Sequence, residues 1–322
     1  MCLTDPSLPE LLILTLDVSP RPAPTYARRK LFCNREFGWI QWSDQVGIGG
    51  LTMIPALRMP TPPTSSIQFL EPRDVFETLA AVNVDVTATV LDPWYNRGVG
   101  GVDPGYDDWM RKLVRTALEI SPHIYLWGFP DIVYKALDDL PAGTELVAWL
   151  TWYYKNCPSV IRGWRSAQYT CLHIARKNAK LYPEHFLNDA QKKLKAEGKL
   201  RYMPGPPTVI EAALNIGFVG RHEQTGHPSQ KPISVMSPLI EMVTKPGDIV
   251  LDPMCGSGTT GIAAHRLGRS SILCDASPGY LDIARKRVDS ELNGTPHPKP
   301  QPSSKKSRKK SSASLFSESE SD

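Results

Sequence analysis

The stretch VLDPWYNRG, residues 90–98, places an acid, a proline and two large aromatic residues directly after an apolar run. Asp92 supplies one hydrogen-bond acceptor, and Pro93, whose ring fixes φ, aims its own carbonyl oxygen as another. Tyr95 places an aromatic ring beside these acceptors. The pattern is a candidate for catalytic chemistry, with a carboxylate beside aromatic rings at the end of a strand. Taken alone it is also typical of an Asp-Pro turn with Trp94 and Tyr95 in the core.

A second candidate is the glycine-rich segment DIVLDPMCGSGTTG, residues 248–261. Gly256, Gly258 and Gly261 fit G-x-G-x-x-G, and Asp275 follows 17 residues after Gly258, at the end of the next predicted strand. By spacing this is the dinucleotide fingerprint, so a NAD-type oxidoreductase is one interpretation and a plain βα turn is another. A P-loop is excluded because no G-K-[ST] follows.

The negative charge of Asp252 distinguishes between these interpretations. A dinucleotide would place its anionic pyrophosphate at the turn, where Asp252 lies. Two like charges a few ångströms apart in a partly buried cleft cost on the order of a few kcal/mol. S-adenosylmethionine (AdoMet) instead carries a sulfonium and an ammonium, no phosphate, and a ribose diol that can donate hydrogen bonds to Asp275. The segment therefore favours AdoMet.

These segments, together with HPSQKP at 227–232 and PGYLDIARKR at 278–287, resemble the β group of DNA amino-methyltransferases. That family methylates the exocyclic N6 of adenine or N4 of cytosine with AdoMet. Its catalytic motif, D/S-P-P-Y/F/W, precedes the AdoMet loop, as it does here. The resemblance covers roughly residues 70–292 and implies a Rossmann-like methyltransferase fold with a mostly parallel, seven-stranded type of sheet and permuted motif order.

The resemblance also implies roles for individual residues. The catalytic candidates are Asp92, Pro93, Trp94 and Tyr95. The candidates for AdoMet binding are Asp252, Met254, Cys255, Gly256, Ser257, Gly258, Thr259, Asp275, Ser229 and Lys231. Methyl transfer in this family is direct, and the chain accordingly has no Pro-Cys dipeptide of the kind a cytosine-C5 enzyme uses as nucleophile.

Two departures from the family pattern leave alternatives open. Trp94 stands where the second proline is usual, and Gln168 stands where the family often has Glu. Asp92 rather than Ser favours adenine N6 in DNA over the alternatives, which are cytosine N4 in DNA and adenine N6 in RNA. A catalytically inactive fold that binds nucleic acid or a partner subunit is the remaining interpretation.

Basic and aromatic residues are interleaved between Lys155 and Glu223, where twelve Lys/Arg stand against five Asp/Glu. Such a composition suits a nucleic-acid surface, because the charges meet phosphate and the rings stack on bases. The candidate contacts are Lys155, Arg162, Trp164 and Arg165. The resemblance places the target-recognition region at residues 153–226, which contain this stretch, although Lys192, Lys193 and Lys195 equally fit the solvated face of a helix.

The elements that must position these residues alternate between strand and helix, which predicts an α/β domain. Strands are predicted at 86–91, 123–127, 145–152, 169–174, 248–251 and 271–274, and those at 86–91 and 248–251 are expected to be buried. Helices are predicted at 74–81, 110–120, 259–267 and 278–288. The resulting domains are a proline-rich lead-in (1–70), the catalytic domain (71–292) and a Ser/Lys-rich tail (293–322) that cannot bury enough apolar surface to fold.

Composition limits the remaining function classes. The 322 residues are 41% hydrophobic with a net charge of +4, and no apolar run reaches the ~20 residues of a membrane span. The six cysteines have neither metal nor disulfide-framework spacing, so no metal is predicted. The basic tail predicts a nuclear location in a eukaryote and a cytoplasmic one otherwise. The resemblance implies a homodimer or a partner subunit.

Overall fold

The computed structural model describes residues 65–97, 102–157, 160–161 (backbone only) and 163–295. Eight strands form one sheet in the order β1-β10-β9-β2-β3-β7-β4-β8. The strands are β1 (Ile67–Phe69), β2 (Ala88–Leu91), β3 (His123–Gly128), β4 (Thr144–Tyr153), β7 (Gln168–Arg176), β8 (Val209–Glu211), β9 (Ile249–Asp252) and β10 (Ser270–Leu273). A separate antiparallel hairpin pairs β5 (Val160–Ile161) with β6 (Trp164–Arg165).

The sheet is mostly parallel, as predicted. Strand β7 runs antiparallel to both of its neighbours, β3 and β4, and the other five pairs are parallel. It has eight strands where the resemblance implied seven, with β8 at one edge. At the other edge, β1 begins before the predicted domain boundary at 70 and pairs with β10.

Helices cover both faces of the sheet. They are α1 (Val75–Ala81), α2 (Tyr106–Ile120), α3 (Pro130–Val133), α4 (Asp189–Ala196), α5 (Ile233–Val243), α6 (Thr259–Arg266) and α7 (Pro278–Asn293). Two short 3₁₀ helices cover Tyr134–Asp139 and Pro183–Phe186.

Side chains alternate between the two sides of each strand, so the hydrophobic core has one part on each face of the sheet. Tyr125 and Trp127 point to the face covered by α5 and α6, whereas Ile124 and Leu126 point to the face covered by α1 and α2. Successive side chains of a strand face opposite sides, and a strand buried on both sides therefore reads as a continuous apolar run. This is the pattern from which the strands were predicted.

Every predicted strand and helix within the described residues is present, with shifted ends. Helix α2 begins four residues before the predicted start, because Tyr106 packs into the core and Asp107 and Asp108 lie in its first turn. Helix α5 was missed, and it carries Pro238 inside its span. The N-terminal lead-in up to residue 64 and the tail beyond 295 lie outside the described residues.

Candidate functional site

A cavity of about 870 Å³ opens at the carboxyl ends of the parallel strands β2, β9 and β10. Asp92 follows β2 directly, Asp252 is the last residue of β9, and Asp275 lies two residues beyond β10. Because the carboxyl ends of parallel strands meet at one edge of a sheet, the two sequence motifs converge in this cavity. All four catalytic candidates line it.

The glycine loop forms one wall. Gly256 has φ +50°, and a Cβ there would lie 3.0 Å from the His227 ring. Gly258 has φ +75°, and a Cβ there would lie 3.1 Å from the Ala284 side chain on α7. Gly256 and Gly258 are therefore required both by the backbone conformation and by the space available. Beside Gly256, the cavity is also lined by Met254, Cys255, Ser257 and Thr259.

The two acidic residues of this wall are held by backbone and side-chain donors. Asp252 accepts hydrogen bonds from the Thr260 hydroxyl at 2.5 Å and the Met254 amide at 3.1 Å. Burial nevertheless raises the pKa of Asp252 to about 7. Asp275 accepts from the amides of Gly256 at 2.9 Å and Ser277 at 2.8 Å. Its carboxylate faces the cavity, where it can still accept from a diol.

The charge of the lining disfavours a phosphate-bearing ligand. Among the residues that line the cavity, the carboxylates are Asp74, Asp92, Asp103, Asp252 and Asp275, and the Lys/Arg cations are Arg97 and Lys231. Both cations are already paired, Arg97 with Asp131 and Lys231 with Asp92. Burial lowers the pKa of His227, which keeps its ring neutral near pH 7. A ligand with positive charge and hydroxyl donors fits this lining, and a pyrophosphate does not.

Lys231 connects the HPSQKP segment to the catalytic motif. Its ammonium is 5% exposed, forms an ion pair with Asp92, and lies 5.0 Å from the Trp127 ring centre and 4.9 Å from that of Tyr169. The Tyr169 hydroxyl lies 3.5 Å from the other oxygen of Asp92. Sequence reasoning assigned Lys231 to the cofactor. Its charged end pairs with Asp92, and the side chain also lines the cavity.

Aromatic rings surround the catalytic motif. Tyr95 packs edge-on against Phe129 at 5.3 Å and Tyr169 at 5.5 Å. Burial raises the pKa of Tyr95 above its ordinary value, so its hydroxyl stays protonated. Trp94 is 41% exposed and meets Tyr106 edge-on at 5.6 Å. The cavity of about 870 Å³ lies within the ordinary range for ligand pockets. The larger ring of Trp94 therefore leaves room for a ligand.

A model of the N6/N4 DNA methylase family matches residues 105–286, more than half of the chain. The chain belongs to this family. The type II methyltransferase M.HpaI of Haemophilus parainfluenzae is 28% identical over 223 residues, which are 64% of this chain and 68% of that protein. The type II methyltransferase M2.DpnII of Streptococcus pneumoniae is 33% identical over 188 residues, 56% of this chain and 66% of that protein. The matches thus span about two thirds of these relatives.

Two solved structures show the same fold. The crystal structure of the M1.HpyAVI–SAM complex has a TM-score of 0.53 and 24% identity, covering 69% of this chain and 99% of that one. The cytosine-N4-specific PvuII DNA methyltransferase has a TM-score of 0.53 and 18% identity, covering 72% and 95%. The predicted family and fold are therefore confirmed. AdoMet is the cofactor of the methylase family, and the cavity lining fits it.

Within this methylase fold a buried arginine joins segments that sequence reasoning did not connect. Arg287 of α7 is 1% exposed and donates to the Thr259 hydroxyl at 2.7 Å and to the Ser257 carbonyl at 3.2 Å. The Thr259 hydroxyl in turn donates to the Lys231 carbonyl at 3.0 Å. The guanidinium also lies 3.7 Å from the Glu223 carboxylate. Only the presence of Arg287 in a helix after the glycine loop was visible in the sequence.

Ser229 and His227 lie between the cofactor loop and Tyr95. The Ser229 amide donates to Nδ1 of His227 at 3.3 Å, and the His227 ring meets Tyr280 edge-on at 4.4 Å. Ser229, a candidate for cofactor binding, lines the cavity. His227 is a further lining residue, and its place in the HPSQKP segment was the available signal.

The predicted nucleic-acid contacts lie in different environments. Trp164 is 82% exposed and Arg165 is exposed. Lys155 pairs with Glu211 at 2.6 Å on the surface. Arg162 lies outside the described residues. Tyr169, which lies in the same stretch of interleaved basic and aromatic residues, is 5% exposed and packs beside Asp92, because β7 is an internal strand of the sheet.

Two features are absent from the part of the chain that the structure describes. None of its helices is long and apolar enough to cross a membrane. It also holds no group of three or more His, Cys, Asp or Glu residues arranged to bind a metal.

Proposed function

We propose that this chain transfers the methyl group of AdoMet to an exocyclic amine of a DNA base, adenine N6 before cytosine N4. The observation that carries the proposal is the convergence of Asp92, with its proline and tyrosine, and the glycine loop in one cavity. AdoMet supplies an electrophilic methyl group when it is bound. The glycine loop, with Asp252 and Asp275, would hold it.

The residues of the catalytic motif then act on the amine. Asp92 and the Pro93 carbonyl each accept one N–H, which draws the nitrogen toward sp³ and frees its lone pair for attack. Lys231 and Tyr169 keep the Asp92 carboxylate in place, and each of its oxygens retains a lone pair for the substrate. Tyr95 provides a wall for an extruded base.

Adenine is favoured because the first residue of the motif is Asp rather than Ser. The cytosine-N4 specificity of the PvuII enzyme does not argue against this, since 18% identity conveys the fold alone. DNA is favoured over RNA because the family and both curated relatives are DNA methylases or type II methyltransferases.

The test is methyl transfer from labelled AdoMet to DNA and to RNA, followed by nucleoside digestion and mass spectrometry. Wild type should yield N6-methyladenine in DNA, and Asp92→Ala should lose at least about a thousandfold in rate, since an interaction specific to the transition state is removed. AdoMet affinity of the variant, measured by calorimetry, is the control for folding and should change by less than about threefold.

Each alternative has its own outcome. N4-methylcytosine as the product would overturn the adenine assignment, and methylated RNA alone would overturn the DNA assignment. AdoMet binding without any product from wild type would favour the inactive fold, and Trp94→Pro would then be the first variant to assay.

A further inference from the structure

The loop formed by residues 214–224, here called the Phe218 loop, exposes three apolar side chains on the surface. Phe218 is 84% exposed, and Ile216 and Val219 are each 42% exposed. Single exposed apolar residues are ordinary, whereas three on one short loop need a reason. The loop lies within the predicted target-recognition region, yet none of its residues was a predicted contact.

The tip of the loop is held in one conformation by its own polar groups. The Gln224 side-chain amide donates to the carbonyls of Val219 at 2.7 Å and Gly217 at 3.3 Å. Gly217 and Gly220 have φ +60° and +63°. A Cβ at Gly220 would lie 2.0 Å from the Asn215 side chain. Phe218 is therefore presented on a fixed turn.

The base of the loop is bound to the catalytic region. The Glu223 carboxylate accepts from the Asn215 side chain at 3.3 Å and from the Ile233 amide at 3.1 Å, and it lies 3.7 Å from Arg287. The Gln230 amide donates to the Glu223 carbonyl, and Lys231, the next residue, pairs with Asp92. The position of Phe218 is thus set relative to the catalytic carboxylate.

A second cavity, of about 370 Å³, lies between this loop and the catalytic motif. Leu214, Ile216 and Gln224 line it from the loop. Tyr95, Ser229 and Lys231 line it from the other side and also line the first cavity. A loop with an exposed ring therefore borders the space next to the residue on which an extruded base would lie.

The charge at the tip suits a polyanion. The Arg221 guanidinium lies 4.3 Å from the Phe218 ring centre, and His222 is exposed beside it. The acidic residue of the loop, Glu223, is turned inward and is 18% exposed. An aromatic ring with an arginine beside it combines base stacking with phosphate contact.

We propose that Phe218 enters the DNA duplex and fills the space that the target base leaves, while Arg221 contacts a neighbouring phosphate; this rests on the proposed function. Extruding a base costs a few kcal/mol of stacking and pairing. An apolar wedge that restores stacking in the gap offsets part of that cost. The role of Phe218 is therefore to stabilise the duplex with its base extruded, without contact with the reacting atoms.

The experiment compares two DNA duplexes that contain the sequence methylated by wild type. In one the target base is normally paired, and in the other it stands opposite an abasic site. Phe218→Ala should slow single-turnover methylation of the paired duplex by roughly tenfold or more, since stacking on one base contributes about 1–3 kcal/mol. On the abasic duplex the target base has no pairing partner, so its extrusion costs less free energy. The rate of Phe218→Ala on this duplex should match that of wild type within about threefold. Phe218→Trp should restore the rate on the paired duplex.

Tyr202→Ala is the matched control, because Tyr202 is 76% exposed and lines neither cavity. It should leave the ratio of the two rates unchanged. Fluorescence of 2-aminopurine at the target position gives a readout independent of methyl transfer, and its rise on binding should be weaker for Phe218→Ala.

The outcomes separate the two proposals. Equal rates for Phe218→Ala and wild type on the paired duplex would overturn the wedge and leave the proposed function standing. Equal losses on both duplexes would also overturn it and would favour a protein partner or a second copy on this loop. A wild type that neither methylates nor binds duplex DNA would overturn both.

Discussion

At the scale of single residues, the catalytic carboxylate is defined by what surrounds it. Asp92 lies between Lys231 and the Tyr169 hydroxyl, and the Lys231 ammonium rests on two aromatic faces. A buried ammonium requires such a partner, because an unpaired charge in this environment is costly. Lys231 is consequently a positioning residue that acts through Asp92.

Lys231→Met should lower kcat by roughly a hundredfold, because Asp92 loses the charge-assisted bond that orients it. AdoMet affinity should fall much less, since the cofactor loop is intact. Lys231→Arg retains the charge and should recover part of the rate. Single-turnover rates and calorimetric Kd values for the three proteins test this. A variant that loses AdoMet affinity and keeps its rate at saturation would instead make Lys231 a cofactor ligand.

The buried Asp252 predicts a pH dependence of AdoMet binding. Burial raises its pKa from 3.8 to about 7, so the folded chain takes up a proton there and its stability falls as pH rises from about 4 to 7. A cationic ligand favours the ionised form. The Kd for AdoMet should therefore fall by about tenfold between about pH 6 and 8. Asp252→Asn should remove this dependence, and a slope that persists in the variant would assign it to the ligand's own amine.

At the scale of elements, the parallel sheet brings the two motifs together. Strands β2 and β9 are adjacent and parallel, and Thr89 pairs with Leu251, so Asp92 lies two residues farther along the strand direction than Asp252. The two carboxylates therefore come from neighbouring strand ends. The glycine loop then turns sharply into α6. Its position is set by Arg287 from α7 and by the His227 ring. The loop thus depends on two other elements for its shape.

Gly256→Ala tests the contact between the loop and His227. It should destabilise the fold by about 1–2 kcal/mol from the left-handed backbone alone, and crowding of His227 should weaken AdoMet binding by at least about tenfold. Gly143→Ala is the matched control, because Gly143 has φ +80° with nothing within 4 Å. It should lose similar stability in urea denaturation and keep wild-type affinity. Equal affinities in both variants would contradict the role of the contact.

At the scale of the whole molecule, the first and second cavities share lining residues, among them Tyr95, Ser229 and Lys231. The segment between β4 and α5 carries exposed aromatic and basic side chains, including Trp164, Arg165 and Phe218. Helix α4 contributes no side chain to either cavity, and none of its residues is buried. Its lysines fit the solvated face that was the alternative interpretation of this stretch.

Salt dependence of DNA binding distinguishes these two surfaces. Each lost phosphate contact reduces the slope of log K against log salt by about 0.9, so Lys155→Ala with Arg165→Ala should reduce it by about 2. The pair of Lys155 with Glu211 does not prevent this, since ion pairs between solvent-exposed side chains contribute little to stability. Lys192→Ala with Lys193→Ala should leave the slope unchanged. A larger effect from the α4 pair would place the DNA on that helix.

Much of this protein could be predicted from sequence because the informative features are local. The run VTATVL before Asp92, the turn of the glycine loop and the position of Asp275 each depend on a few adjacent residues. Strand periodicity and turn glycines therefore sufficed for the α/β class and for the strand, turn and helix of the glycine loop, and the resemblance supplied the family. Helix α5 was not predicted, because it contains Pro238 and its apolar residues do not form a pattern that stands out from the neighbouring sequence.

Tertiary structure alone decided which of these residues meet. Asp92 and Lys231 are 139 residues apart, and Arg287 reaches Glu223 and Thr259 from a different helix. Tyr169 lies in the stretch whose composition suggested a nucleic-acid surface, yet it packs beside Asp92, because β7 is inserted between β3 and β4. Such contacts arise from strand order and packing, and neither leaves a local periodicity that the sequence could reveal.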